Sequence, residues 1–327
     1  NVIMKIFFSS PGRRVELIKI FKKEIDNVYI IGGDYSSNSP ALLFCDKKYE
    51  LPFKIDDNYI KEVLDICIKE KVDLVIPLID PELEWYAKYK TIFNKNQIEV
   101  MVSLYESISI SSDKLNTFIF FNTFDFVKNP YTALLKFFNE QEFETDSVII
   151  KPKNGSSGAG IHKINKKYVL DFSKIKNLDL EQYIVQEYID FDYETTIDVF
   201  IDSNNQMIEL CQRKRLKTRG GEVERAITTK NKEITHLIRK IIEKTSFFGV
   251  INIQVMTKDN QHYVGEINPR FGGGFPLAYH SGANMIEHIQ KLVKKNEIAQ
   301  CGDSRYENNF SMLRFDDAIY TSGLRND

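Results

Sequence analysis

Apolar residues in the first hundred positions alternate between two periods. MKIFF (residues 4–8) is an uninterrupted apolar run of strand length, and SSPGRR after it reads as a turn. Val15, Leu17, Ile18 and Phe21 then recur at helical spacing. Residues 28–31 form a second strand run that ends at Gly32, Gly33 and Asp34. Ile60, Val63, Leu64 and Cys67 mark a helix over 59–69, while LVIPLI (74–79) and EVMVS (99–103) supply a third and a fourth strand. Strands separated by helices predict an α/β fold with a parallel sheet of βαβ units.

The pattern changes near Ser111. SSDKLNTFIFF reads as a capped helix, and SVIIK (147–151) as a strand stopped by Pro152. NGSSGAG follows as the first glycine-rich loop. IVQEYI (184–189) and TTIDVFID (195–202) are further strands, and Leu237, Ile238, Ile241 and Ile242 mark a helix. Residues 250–256 and 262–268 flank KDNQ and predict a hairpin. The tail after Lys294 is weakly patterned, and no internal repeat or low-complexity tract is evident.

Composition narrows the functional classes. The 327 residues correspond to roughly two domains of ordinary size. A formal net charge of −2 gives no global electrostatic footprint for nucleic acid or for an anionic membrane. No apolar run approaches the ~20 residues of a membrane span. The basic pair near the start follows the apolar run, the wrong order for a signal peptide. Cys45, Cys67, Cys211 and Cys301 lie far apart without CxxC spacing, which argues against a zinc site or a disulfide framework and for a reducing, cytoplasmic compartment. None of the five histidines stands in HExxH, so carboxylates, amides, Lys and Arg are left to carry the chemistry.

The hairpin is the most informative segment. Glu266 and Asn268 are two apart on a strand and share a face. A turn centred on Asn260 places Gln254 opposite Glu266, so three oxygen donors converge. Such hard donors suit Mg²⁺ that shares its shell with waters and substrate phosphates. On pattern alone a polar, solvated sheet face explains the same residues. In NPRFGGGFP, three glycines permit close backbone approach, and the fork of Arg270 suits a phosphoryl or carboxylate group. The loop after Lys151 is neither a P-loop nor GxGxxG, yet a strand-end lysine before a Gly/Ser loop supplies a cation and backbone donors to phosphates; a plain hairpin tip fits equally. RKRLKTRGGE carries five basic residues within seven positions. If extended, Arg213, Arg215, Lys217 and Arg219 share one face, either an anion site or a solvated one.

The order of these signals is more specific than any one of them. Lys114, Lys151 with GSSGAG, QEYI with Glu194, NIQ, and then GEINPRFGGG together resemble the ATP-grasp superfamily, in particular carbamoyl-phosphate-synthetase-like proteins, with biotin carboxylases similar. The resemblance implies a pre-ATP-grasp parallel α/β domain over residues 1–110, an ATP-grasp N-terminal lobe and lid over 111–190, and an α+β core with the metal and substrate site over 191–327. It implies that Lys114 and Lys151 hold ATP phosphates under a loop containing Ser156, Ser157, Gly158 and Gly160. Glu187, Tyr188 and Ile189 would form the hinge at the adenine edge, and Glu194 would take the ribose hydroxyls. Gln254, Glu266 and Asn268 would ligate magnesium, with manganese as a substitute. Arg270 would stabilise the transferring phosphoryl group, and Arg215 and Arg219 would lie on the substrate side.

The implied reaction joins a small-molecule carboxylate to an amine through an acyl phosphate and releases ADP and phosphate. A kinase-like use of the site and a non-catalytic nucleotide-binding regulator are the competing readings. Gln254 stands where many members carry an acid, although carbamoyl-phosphate-synthetase-like proteins also use Gln. The tandem duplication of the synthetase, a glutaminase-like Cys/His pairing and a biotinyl-lysine motif are all lacking. Neither nucleic acid nor membrane is expected as a partner, and the exposed face of the N-terminal sheet domain offers a homodimer surface.

Overall fold

The computed structural model describes residues 3–155, 160–219 and 222–322. The N-terminal part contains β1 (Met4–Ser9), α1 (Val15–Glu24), β2 (Val28–Asp34), β3 (Lys47–Glu50), α2 (Asp57–Glu70), β4 (Leu74–Pro77), α3 (Asp80–Lys95) and β5 (Glu99–Val100). The five strands are all parallel, in the order β3-β2-β1-β4-β5. Both faces are covered, which is why the central strands β1 and β4 and the start of β2 read as unbroken apolar runs. Ile6 and Phe8 pack with α1 on one face, while Phe7, Ile31 and Val75 pack with α2 and α3 on the other.

The order reverses between β1 and β4, and open parallel sheets form a crevice outside the strand ends at such a point. There β1 ends at Ser9 and β2 at Asp34, Ser10 follows β1, and Asp80 opens α3 just after β4. Helix α3 was not legible in the sequence, because its buried Leu83, Tyr86 and Phe93 are interleaved with charged and half-exposed residues.

Two short helices follow, α4 (Tyr105–Ser112) and α5 (Lys114–Phe121). Asp113 caps α5 by accepting from the Leu115 and Asn116 amides at 2.8 and 3.2 Å. Next come β6 (Thr132–Leu134), β7 (Ser147–Pro152), β8 (His162–Asn165), α6 (Val169–Ile175) and β9 (Tyr183–Glu187), whose strands form an antiparallel sheet in the order β6-β9-β7-β8. Val148, Ile150, Val169 and Val185 give this sheet its own small core.

The largest sheet is built from β10 (Tyr193–Ile201), β11 (Met207–Arg219), β12 (Glu222–Thr229), β13 (Gly249–Lys258), β14 (Gln261–Asn268) and β15 (Ser311–Leu313). Its helices are α7 (Lys232–Glu243), α8 (Phe275–His280) and α9 (Met285–Val293). Its strands are antiparallel in the order β14-β13-β10-β11-β12-β15. One face buries Ile197, Val199, Ile251, Ile253 and Val255 against α7. On the other, Phe200, Cys211 and Val250 join Phe271, Phe275, α9 and the α1 side of the N-terminal sheet in one continuous core. That shared core brings the crevice of the parallel sheet to the polar end of the antiparallel one. Among the described residues, no helix is long and apolar enough to cross a membrane.

Candidate active site

The hairpin turn is made by Asp259 and Asn260, both at positive φ (48° and 58°), as a two-residue turn between twisted strands requires. With Lys258 opposite Gln261, an unbroken ladder would pair Gln254 with Gly265. Instead the register shifts, Gly265 is the extra residue, and Gln254 faces Glu266. Val264 and Ile267 therefore both reach the α7-side core, while Glu266 turns to the opposite face with Gln254 and Asn268. The expected grouping of three oxygen donors is present, by a route that includes a bulge.

Asn252, one row further along, orients the set. Its amide nitrogen donates to the carbonyls of Asn268 (3.3 Å) and Arg270 (3.0 Å), which makes its Oδ1 an acceptor. Asn268 donates to that oxygen at 3.3 Å, so its own Oδ1 points away and is left for a ligand. Asn252 was not singled out in the sequence, although its place two residues before Gln254 puts it on the same face.

Lys151 sits on β7, only 9% exposed, in the neighbouring antiparallel sheet. Burial lowers its pKa, and the field of Lys114 acts in the same direction. The charge of Glu266 opposes both. Residues 114, 151 and 266 are thus brought into one electrostatic neighbourhood. Lys114 donates to the Gly155 carbonyl at 2.7 Å, and its amide to Lys153 O at 2.8 Å, so the start of α5 is stitched to the loop after β7. Gly160 closes that loop at φ 71°, against the Pro152 ring. Ser156, Ser157 and Gly158 lie outside the described residues.

Residues 187–189, the expected hinge, are held by the small sheet. The Glu187 carboxylate accepts from the Glu144 amide (2.7 Å) and the Tyr131 amide (3.3 Å). The backbone N–H groups of Glu187 and Tyr188 donate to Tyr131 O and Ser147 O. Ile189 is buried at the exit.

The basic strand does not form one cationic face. Two bulges, between Arg215 and Lys217 and between Lys217 and Thr218, break its alternation, and each cation has its own partner. Arg213 is buried in a two-bond pair with Asp198 (2.5 and 3.0 Å). Arg215 pairs with Glu194, each side chain 19% exposed. Lys217 reaches Glu224 at 3.2 Å, and Arg219 pairs with Asp316 at the surface. Sequence reasoning missed the Asp198 partnership, for which an acid flanked by Ile197 and Val199 in a buried strand was the available signal. The glycine loop packs on this pair: a Cβ at Gly274 would stand 2.2 Å from Arg213 Nη1, and one at Gly272 would stand 3.3 Å from Nη2.

Arg270 crosses to the N-terminal sheet. Its Nε and Nη2 donate to the two Asp80 oxygens at 2.7 and 2.6 Å, and Nη1 to the Phe271 carbonyl at 3.2 Å. Of the five guanidinium N–H groups, three are engaged and two remain. Arg14 reinforces the junction by donating to Phe271 O (2.9 Å) and Leu78 O (3.2 Å). Neither Asp80 nor Arg14 was recognisable as a site neighbour in the sequence.

Comparison with known proteins agrees with this architecture. Residues 6–101 match the family described as PylC-like, N-terminal domain. Residues 179–313 match ATP-grasp in the biosynthetic pathway with Ter operon, and residues 79–191 match the tubulin-tyrosine ligase family. A curated relative, N5-carboxyaminoimidazole ribonucleotide synthase of Saccharolobus solfataricus, is 25% identical over 131 residues, 40% of this chain; the chain spans only 35% of that relative's length. Among solved structures, N5-carboxyaminoimidazole synthetase from Staphylococcus aureus complexed with ADP aligns at a TM-score of 0.70. It is 16% identical, with 91% of this chain and 80% of that one covered. The biotin carboxylase domain of Hydrogenobacter thermophilus 2-oxoglutarate carboxylase, in complex with MgADP, ADP and bicarbonate, aligns at 0.74 with 12% identity, covering 95% and 74%. At such identities the two structures speak for the fold. The chain thus carries a PylC-like match over its N-terminal sheet and, behind it, an ATP-grasp match over residues 179–313 that spans the hairpin and the glycine loop.

Proposed function

We propose that this chain is an ATP-dependent ligase that joins a small-molecule carboxylate to an amine through an acyl phosphate, releasing ADP and phosphate. One observation carries the reading: Gln254, Glu266 and Asn268 present oxygens on one sheet face, with the buried Lys151 close enough to Glu266 to feel its charge. Hard oxygen donors beside a desolvated cation suit a magnesium–triphosphate better than any purely structural role. The ADP and MgADP in the two solved relatives support the same assignment.

In this reading Lys114 and Lys151 bind the ATP phosphates, and the hinge at 187–189 meets the adenine edge. Glu194 takes the ribose hydroxyls, steadied by Arg215. Gln254, Glu266 and the free Oδ1 of Asn268 hold Mg²⁺, which neutralises charge on the phosphates when bound. The two remaining donors of Arg270 face the transferring phosphoryl group, with Asp80 fixing the plane of the fork. Arg219, exposed and paired with Asp316, is left out of the site. Residues 1–110, 111–190 and 191–327 act as the pre-ATP-grasp, lid-bearing and core parts.

The test is a coupled ADP-release screen of amino acids and small carboxylates, each with and without an amine. Turnover that needs both substrates supports ligation. A stable phosphorylated product formed without amine indicates a kinase instead, and Mg·ATP binding without turnover indicates a regulator.

A further inference from the structure

A second polar cluster lies at the other end of the largest sheet. Glu209 on β11 faces Phe200, six residues along β10 from Glu194, so it stands ~20 Å from the nucleotide end of the ladder. Its carboxylate is fully buried. His288 of α9, also buried, brings Nε2 to 3.1 Å from Glu209 Oε2, and Cys301 of the tail brings Sγ to 3.5 Å from the same nitrogen. All three donor atoms lie within 4.8 Å of one another.

Two features mark this as more than a hydrogen-bonded trio. The Nε2 to Oε2 approach lacks hydrogen-bond alignment, and both Glu209 oxygens are buried without a hydrogen-bond donor. Arg305 makes only an ion-pair contact to Oε1 at 3.6 Å, so Oε2, an acceptor left deep in the protein, calls for a further cation. The spacings are also those of ligands around a common tetrahedral centre. Zn–N, Zn–O and Zn–S bonds of about 2.1, 2.1 and 2.3 Å give N···O and N···S edges of about 3.4 and 3.6 Å. The structure has 3.1 and 3.5 Å.

We propose that Glu209, His288 and Cys301 form a zinc site, with water in the fourth position. A carboxylate, an imidazole and a thiolate select a borderline-soft cation over magnesium, which separates this site chemically from the hairpin one. Arg305, with Nε 3.6 Å from Glu209 Oε1, holds that oxygen and leaves Oε2 to the metal. Half-buried Cys301 gives access from solvent. Cys301 would bind as the thiolate, releasing its proton as the metal enters. The backbone already carries the tail to this place: Cys301 N and Gly302 N donate to Ile208 O at 2.9 and 2.8 Å, and Leu210 N donates to Gly302 O at 2.9 Å. The metal would lock that tail segment onto β11 and α9. The ligands come from segments 79 and 13 residues apart, which is why the cysteine spacing argued against zinc.

The test uses tag-free, chelator-treated full chain titrated with Co²⁺ as a spectroscopic probe. One equivalent should bind, with a thiolate-to-cobalt charge-transfer band and the intense visible bands of a four-coordinate site, and Zn²⁺ should displace it. Cys301→Ser should abolish the charge-transfer band, whereas Cys45→Ser, at the other half-buried thiol, should leave it intact. His288→Asn should weaken binding by at least about 100-fold, at or beyond the upper end of what an outer-shell partner costs. Zn²⁺ should raise the melting temperature of the parent chain and not of Cys301→Ser. Absence of the band, or its survival in Cys301→Ser, would overturn the proposal; the exposure of Cys301 keeps that variant informative if His288→Asn fails to fold.

Discussion

Arg270 and Asp80, 190 residues apart, form a two-bond ion pair that ties the end of the β13–β14 hairpin to the first turn of α3. The pair is mostly shielded, with side chains 13% and 25% exposed, so breaking it from either side should cost roughly 1–2 kcal/mol of stability. Turnover separates the two ends. Arg270→Ala should lower kcat by 10²–10³, about 3–4 kcal/mol of barrier, with nucleotide affinity changed only modestly. Asp80→Asn should keep turnover within a few-fold. Equal losses of kcat in both variants would assign the pair to domain joining alone.

Mg·ATP should stabilise the chain through the hairpin donors. At a hundredfold excess over its dissociation constant, a ligand that binds only the folded state adds about 2.7 kcal/mol. The melting temperature should rise with a Mg·ATP analogue and much less with nucleotide plus chelator. Glu266→Gln should remove most of the magnesium-dependent part, read from the same melting curves.

Neighbouring glycines should respond in opposite ways. Arg213 is pinned by its bonds to Asp198 and cannot yield to a methyl group placed 2.2 Å from Nη1. Gly274→Ala should therefore cost about 1–3 kcal/mol through overpacking. Nothing lies within 4 Å of a Cβ at Gly273, so Gly273→Ala should stay within about 0.5 kcal/mol. Chemical denaturation of both variants decides this.

Glu82 should make stability fall as pH rises. It is fully buried in the β1/β4 crevice, where Ser9 (3.1 Å), Ser10 and Tyr59 donate to Oε1 and Oε2 has no partner. Burial outweighs those donors and pushes its pKa up to about 7. An unfolded glutamate titrates near 4.3, so between about pH 4.3 and 7 the folded state binds the extra proton. Its contribution is complete below about pH 4.3 and is lost as pH rises to about 7, on the order of 3 kcal/mol. Glu82→Gln should flatten the stability profile across that window. An unchanged profile would mean that the carboxyl is ionised throughout.

The elements that could be read from sequence were those whose physics is local. The hairpin was legible because its apolar alternation survives in the strands, and Gln254 opposite Glu266 came out correctly for a compensated reason. The turn sits half a residue earlier than one centred on Asn260, and the Gly265 bulge restores the pairing. Arg213 was grouped on one face with Arg215, Lys217 and Arg219 because its partner Asp198 is set by strand register, and because two bulges further along break the alternation. Asp80 and Arg14 depend on how the parallel sheet docks on the antiparallel one, which no spacing encodes. The same holds for Glu209, His288 and Cys301, assembled from three distant segments.

Activation of a carboxylate by ATP leaves an acyl phosphate that hydroxylamine captures as a hydroxamate. The full chain is incubated with Mg·ATP, hydroxylamine and a panel of amino acids and small carboxylates, and the nucleotide products and hydroxamates are quantified. A hydroxamate should form with one or more carboxylates, one-for-one with ADP and phosphate, and be lost in Glu266→Gln. Hydroxamate accompanied by AMP and pyrophosphate, or ADP formation that no carboxylate stimulates, would contradict an acyl-phosphate intermediate.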